Sequence, residues 1–103
     1  MRPPNPPGNP PLDPPGAIIR SVALRMARRL AEQAKPVSAL TSVVHMVEND
    51  ETELAMDDIG LLIQYYRFPV LRSEYEDLVL AAEQLDSLDS LTDTGVEQFV
   101  VDG

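Results

Sequence analysis

Apolar side chains recur at helical spacing through most of the chain after residue 16. In the first such stretch the residues that share one stripe are Ile19, Val22, Ala23, Met26, Leu30 and Ala34. Spacings of three and four residues place side chains on one face of an α-helix, so this stretch predicts an amphipathic helix over 17–34. Pro36 ends it at Ala34 or Lys35, because the residue before a proline is disfavoured in the α conformation. Leu24 lies among polar neighbours, on the side away from the stripe.

The next two apolar stretches predict two more helices, the second from Val37 or Ser38 to Glu48 and the third over about 51–67. The second helix has a stripe made of Val37, Leu40, Val43, Val44 and Val47. Asp50 and Glu53 have the spacing of a capping pair, in which each side chain accepts a hydrogen bond from the other residue's backbone. We therefore expect the third helix to start directly after Asp50.

The third helix carries two apolar edges instead of one. The first edge consists of Ala55, Ile59, Leu62, Ile63 and Tyr66, and the second of Leu54, Leu61 and Tyr65. In a domain this small we expect the second edge to face a partner. Gly60 lies inside the helix, where glycine costs about 1 kcal/mol relative to alanine, which indicates that another helix packs closely there.

A fourth helix is predicted over 73–87, where the stripe consists of Tyr75, Leu78, Val79, Ala82 and Leu85. Ser73 and Glu76 have the spacing of a capping box at its start. The three-residue repeat that ends at Leu91 marks the edge of the domain. A turn over 92–95 and a short strand or extended peptide over 96–102 complete the chain.

The N-terminal segment has a different character, since the first fifteen residues hold eight of the ten prolines and no apolar face. Proline fixes φ and donates no backbone hydrogen bond, so we predict an extended, mostly polyproline II arm. Such an arm reaches roughly 40–45 Å at about 3.1 Å per residue. Its PxxP registers resemble those that SH3-type domains bind, although packing on a fixed neighbour is the interpretation we favour.

These patterns together predict an all-α protein with a small domain of three to four short helices. The predicted organisation is an extended proline-rich arm over 1–16, a helical domain over 17–91 and a short C-terminal tail over 92–103. A core formed by about 75 residues is only marginally self-sufficient, and such chains often depend on partners.

Charge is distributed unevenly along the chain, whose net charge is −9. Residues 1–35 carry six basic and two acidic side chains, a net +4, whereas residues 36–103 carry two basic and fifteen acidic ones, a net −13. One interpretation is attraction within the molecule together with a solubilising acidic surface. The other is that the basic first helix of one copy meets the acidic body of another subunit.

The side chains that carry chemistry are few, so we predict neither an enzyme nor a bound cofactor or metal. The chain has no cysteine, and His45 is its only histidine. The acidic segment 49–53 lacks the spacing and central glycine of an EF-hand loop. Segment 52–69 has only an imperfect helix-turn-helix pattern, and its acidic second helix would repel phosphates, so nucleic acid is not an expected partner.

Membrane and secretory segments are also not expected. The longest strictly apolar run, 78–82, has five residues, whereas a bilayer-spanning helix needs about 20. The N-terminus has no hydrophobic core of a signal peptide. We expect the protein in the cytoplasm or within a virion assembled there.

The function that these features favour is a non-enzymatic structural or assembly adaptor that locks onto neighbouring subunits, some of which can be copies of itself. By analogy with small phage proteins, a head–tail or minor capsid component is one such role. The predicted partner-binding residues are Pro3, Pro4, Pro6, Pro7, Pro10, Pro11 and Leu12 in the arm, Arg25, Arg28 and Arg29 in the first helix, and Val96, Phe99 and Val100 in the tail. The alternatives are an acidic inhibitor that mimics nucleic acid, as anti-restriction and anti-CRISPR proteins do, and an antitoxin or chaperone that masks a partner.

Overall fold

A computed structural model describes residues 13–102, and these residues form a mostly helical domain, as predicted. The helices are α1 (Pro14–Glu32), α2 (Ser38–Glu48), α3 (Thr52–Tyr66), α4 (Arg72–Gln84) and the one-turn α5 (Asp89–Thr92). A 3₁₀ turn (Val96–Phe99) follows, and two short strands, β1 (Val70–Leu71) and β2 (Val100–Val101), pair in parallel.

Helix α1 begins at Pro14, three residues before the predicted start. The Asp13 side chain caps the helix by accepting a hydrogen bond from the Gly16 N–H at 2.9 Å. Proline is tolerated in the first turn because the N–H groups there have no partner within the helix. Pro14, Pro15 and Gly16 therefore belong to the helical domain and not to the predicted arm.

The four long helices end in the same way, each with a non-glycine residue in the left-handed region. These residues are Ala34, Asp50, Arg67 and Asp86, with φ between 54° and 64°. After each of them, the next N–H returns to a carbonyl five residues earlier, as Ser87 N–H does to the Ala82 oxygen at 2.8 Å. These bonds form Schellman motifs, which satisfy the last carbonyls of a helix.

Both predicted capping boxes are wrong for local reasons. Asp50 is the left-handed residue that ends α2, and α3 starts after Glu51 without a side-chain cap. Helix α4 starts at Arg72, and its Glu74 accepts a hydrogen bond from the Leu71 N–H at 3.0 Å. Glu74 thus takes the role that the sequence pattern gave to Glu76.

One apolar core is formed by the inner faces of the four long helices. The fully or almost fully buried apolar residues of these helices are Ile19, Val22, Ala23, Met26, Leu30, Leu40, Val43, Val44, Val47, Ala55, Met56, Ile59, Ile63, Leu78, Ala81 and Ala82. Most residues of the predicted stripes are buried. The half-buried ones are Val37, Leu62, Tyr75, Val79 and Leu85, and the exposed ones are Ala34 and Tyr66.

The C-terminal segment contains the predicted turn, at 93–95, and a short strand, but it packs onto the helical domain and does not extend from it as a tail. Val96 is fully buried in the 3₁₀ turn, and Phe99 packs against the core. Val100 pairs with Val70 in the parallel ladder, so the end of the described chain is held against the strand that precedes α4. The predicted boundary at residue 91 therefore divides one folded unit.

Candidate protein-binding surface

The outer side of α3 exposes three large apolar side chains in a row. Leu54, Leu61 and Tyr65 are 54%, 53% and 79% exposed, and we call this row the α3 face. Their separations of seven and four residues place them on one side of the helix. They are the second apolar edge that the sequence indicated, and within residues 13–102 nothing buries them. A contiguous row of this kind is a common feature of protein-binding surfaces.

Aromatic rings cluster at the C-terminal end of the α3 face. The Tyr65 and Tyr66 rings meet edge to face with their centroids 4.8 Å apart. Tyr66 also stacks on the buried Phe68 ring at 5.2 Å. The stack anchors Tyr66, so this end of the surface is a firm aromatic platform.

Beside the α3 face runs a groove of about 250 Å³ between α3 and α5, lined in part by Leu61. At Gly60 the two helices pack closely, because a Cβ there would lie 2.7 Å from the Ser90 carbonyl oxygen and 2.9 Å from Thr94 Oγ1. Thr94 is buried and donates to the Ser90 carbonyl at 2.7 Å. The close approach predicted at Gly60 is confirmed, and its partner is α5 with the turn that follows.

Acidic side chains surround the apolar row. Asp57, Asp89 and Asp93 line the groove, and Asp57 accepts a hydrogen bond from the Ser90 hydroxyl. Asp58 lies at the side of the row, one helical turn after Leu54, where burial raises the pKa of its carboxyl above the ordinary value. The surface is therefore apolar along its centre and negative along its edges. It would suit an occupant with apolar area and a positive charge.

The basic residues of α1 are mostly engaged within the molecule. Arg20 pairs with Glu48 of α2 at 3.1 Å, and Arg25 pairs with Asp77 of α4 at 2.6 Å. Both pairs are substantially exposed, so each contributes little to stability. Arg28 is exposed, and the described part of the chain offers it no ion pair. Part of the basic charge of α1 is thus paired with acidic side chains of α2 and α4 in the same molecule.

Arg29, which the sequence placed at a partner surface, instead holds a buried acid of its own chain. Its guanidinium donates to the Glu74 carboxylate and to the Pro69 carbonyl oxygen at 2.8 Å. Glu74 is 1% exposed and also accepts from Leu71 N–H, so Arg29 ties α1 to the start of α4. Residue spacing within one helix does not indicate this contact, because Glu74 lies 45 residues after Arg29.

The remaining predicted partner-binding residues fall into two groups. Val96 is fully buried, Val100 is paired in the strand ladder and Phe99 packs on the core, so the structure uses all three internally. The arm residues Pro3, Pro4, Pro6, Pro7, Pro10, Pro11 and Leu12 lie outside the described residues.

The described residues hold no arrangement that suggests metal chemistry or membrane insertion. Residues 13–102 contain no group of three or more histidine, cysteine or acidic side chains placed to hold a metal ion. Over the same residues, no helix combines the length and apolar character needed to cross a membrane. His45 is exposed on α2.

Comparisons with protein-family models, with curated proteins and with solved structures found no match for this chain. The surface is therefore interpreted from its own geometry.

Proposed function

We propose that this protein is a non-enzymatic adaptor that binds neighbouring subunits of a larger assembly, copies of itself among them. The α3 face carries the proposal. Fully burying a large apolar side chain stabilises by about 1.5–3 kcal/mol, and the exposed fractions of Leu54, Leu61 and Tyr65 leave half or more of that to be gained at each. Docking another protein there recovers that energy, and the acidic border gives the docking a preferred orientation.

The setting we propose is a small component of a phage particle, at a head–tail joint or in the capsid. The support is an analogy with small phage proteins. A small helical domain preceded by a long, proline-rich arm suits a subunit that is held between fixed neighbours. The same surface could serve an inhibitor that masks a partner. An acidic mimic of nucleic acid is less well supported, because the α3 face has apolar side chains at its centre.

Light scattering coupled to size-exclusion chromatography tests self-association through this surface. We expect the wild-type chain to have a mass above that of the monomer, rising with concentration. Leu61→Lys should restore the monomer, because it puts a charge in the middle of the apolar row without touching the core.

Leu80→Lys is the matched control, since Leu80 is a similarly exposed leucine on α4, outside the α3 face. It should associate as the wild type does. A wild-type chain that stays monomeric at all concentrations would overturn self-assembly and favour the inhibitor alternative. Equal loss of association in both variants would show that the α3 face is not the contact.

A further inference from the structure

We propose that the proline-rich arm of one copy packs along the α3 face of a neighbouring copy. This inference rests on the proposed function and names the occupant of the surface. It is drawn from the place where the arm leaves the domain, from its length and charge, and from the chemistry of the α3 face.

The arm leaves the domain at the N-terminal end of α3. Asp13, the first described residue, and Leu54 line the same surface hollow. A Cβ on Gly16 would lie 3.1 Å from Thr52 Oγ1, so the first turns of α1 and α3 are in contact. The α1–α2 and α2–α3 links are short, which makes consecutive helices antiparallel, and so α1 and α3 run in the same direction.

This direction favours a neighbouring copy over the arm's own domain. A chain that enters α1 at Asp13 approaches from beyond the N-terminal end of α3. To cover its own α3 face, the arm would have to reverse direction just before Asp13. Pro10, Pro11 and Pro14 fix φ on both sides of that point, and a proline-rich segment behaves as a semi-rigid spacer.

The arm is also long enough to reach from one copy to another. Twelve residues precede Asp13 and span about 37 Å as polyproline II. The α3 face, from Leu54 to Tyr65, extends about 17 Å at 1.5 Å per helical residue. Some five or six arm residues therefore cover the face, and the others are free to bridge the gap between domains.

The chemistry of the two surfaces is complementary. Proline-rich segments dock on aromatic-lined apolar surfaces, because their preformed helix loses little entropy on binding. Tyr65 and Leu61 offer such a surface to the prolines and Leu12. The arm segment 1–12 carries Arg2 and no acid, whereas Asp57 and Asp58 border the surface it would cover. The contact is head to tail, since arm and face are different parts of the chain, and it builds chains or rings of subunits.

Complementation between two full-length variants tests the inference. The arm variant carries Pro6→Ser, Pro7→Ser, Pro10→Ser and Pro11→Ser and keeps an intact α3 face. The face variant carries Leu61→Lys and keeps an intact arm. We expect each variant alone to be monomeric, and their equimolar mixture to form a complex of two chains and nothing larger, by light scattering. Circular dichroism should show unchanged helicity in both.

Each other outcome contradicts the inference in a distinguishable way. An arm variant that associates like the wild type would show that a second domain, not the arm, occupies the α3 face, and the proposed function would survive. Two monomeric variants whose mixture stays monomeric would overturn the arm–face contact, while the α3 face would remain necessary for association. A monomeric wild type would overturn the inference together with self-assembly.

Discussion

The outer faces of α1 and α3 lie on one small domain but differ in the side chains that they expose to solvent. On the outer side of α1 most large side chains are charged, with Leu24 the exception, and Arg20, Arg25 and Arg29 pair with acids on neighbouring helices. On α3 the exposed side chains include the leucines and the tyrosine of the α3 face, and the described residues do not cover these three. Charged side chains can form ion pairs within their own chain or be hydrated by water. Apolar side chains are stabilised only when another surface covers them and removes them from water. We therefore place the proposed binding surface on the α3 face, although α1 carries the more conspicuous charge.

The largest expected effect is the difference in unfolding free energy lost by truncating a core leucine and a leucine of the α3 face. Leu78→Ala removes a fully buried side chain, and such truncations cost about 2–5 kcal/mol of unfolding free energy. Leu61→Ala should cost less than about 0.5 kcal/mol in the monomer, as exposed substitutions do. Urea denaturation at low protein concentration measures both. A loss at Leu61 equal to that at Leu78 would mean that the chain itself buries the α3 face.

The next effect lies on α1 and distinguishes its buried ion pair from its exposed ones. Arg29→Ala leaves the Glu74 carboxylate buried without its cation, which should cost roughly 3 kcal/mol. Arg25→Ala removes an exposed pair and should cost under about 1 kcal/mol. Thermal unfolding followed by circular dichroism compares the two. Similar losses would show that α1 is held by general charge attraction instead of by one buried contact.

A smaller effect, of opposite sign, is expected at the helix ends. Ala34 follows α1 with φ of 59°, a conformation that costs an L-residue roughly 1 kcal/mol relative to glycine. Ala34→Gly should therefore raise the unfolding free energy by up to about 1 kcal/mol. Ala31→Gly, inside the same helix, is the control and should lower it by a similar amount. Destabilisation by both glycines would contradict the left-handed end of α1.

The smallest effect concerns Asp58 at the side of the α3 face. Burial raises the pKa of this carboxyl in the folded chain, so folding favours its protonated form. The chain should therefore lose stability as pH rises from the ordinary aspartate pKa to the raised one. Asp58→Asn should be more stable than wild type at neutral pH by less than about 0.5 kcal/mol, a typical size for surface changes. The difference should vanish at pH 3, and a difference that grew as pH fell would contradict the raised pKa.

The four long helices were predictable because each has an apolar stripe that meets the core. Sequence periodicity located α2 to within a residue, and it identified Leu54, Leu61 and Tyr65 as an edge outside the core stripe of α3. The helix starts were harder, since a capping pattern such as Asp50–Glu53 also fits a residue that ends the preceding helix.

The contacts that were not predictable connect distant parts of the chain. Val100 pairs with Val70, and Arg29 binds Glu74, but neither pair has a local pattern that would mark it. A two-residue strand is too short for alternation to be recognised. The tail was therefore assigned to a partner, and the arginines of α1 to a docking surface, when the fold itself accounts for most of them.

A dilution series of ¹⁵N-labelled protein, followed by two-dimensional NMR, tests most directly whether the α3 face is the binding surface. We expect the amide resonances of Leu54, Leu61 and Tyr65 to shift and broaden as concentration rises, while those of Leu24 and Arg28 on α1 stay fixed. Concentration-dependent shifts confined to α1, or no shifts on α3, would contradict the account.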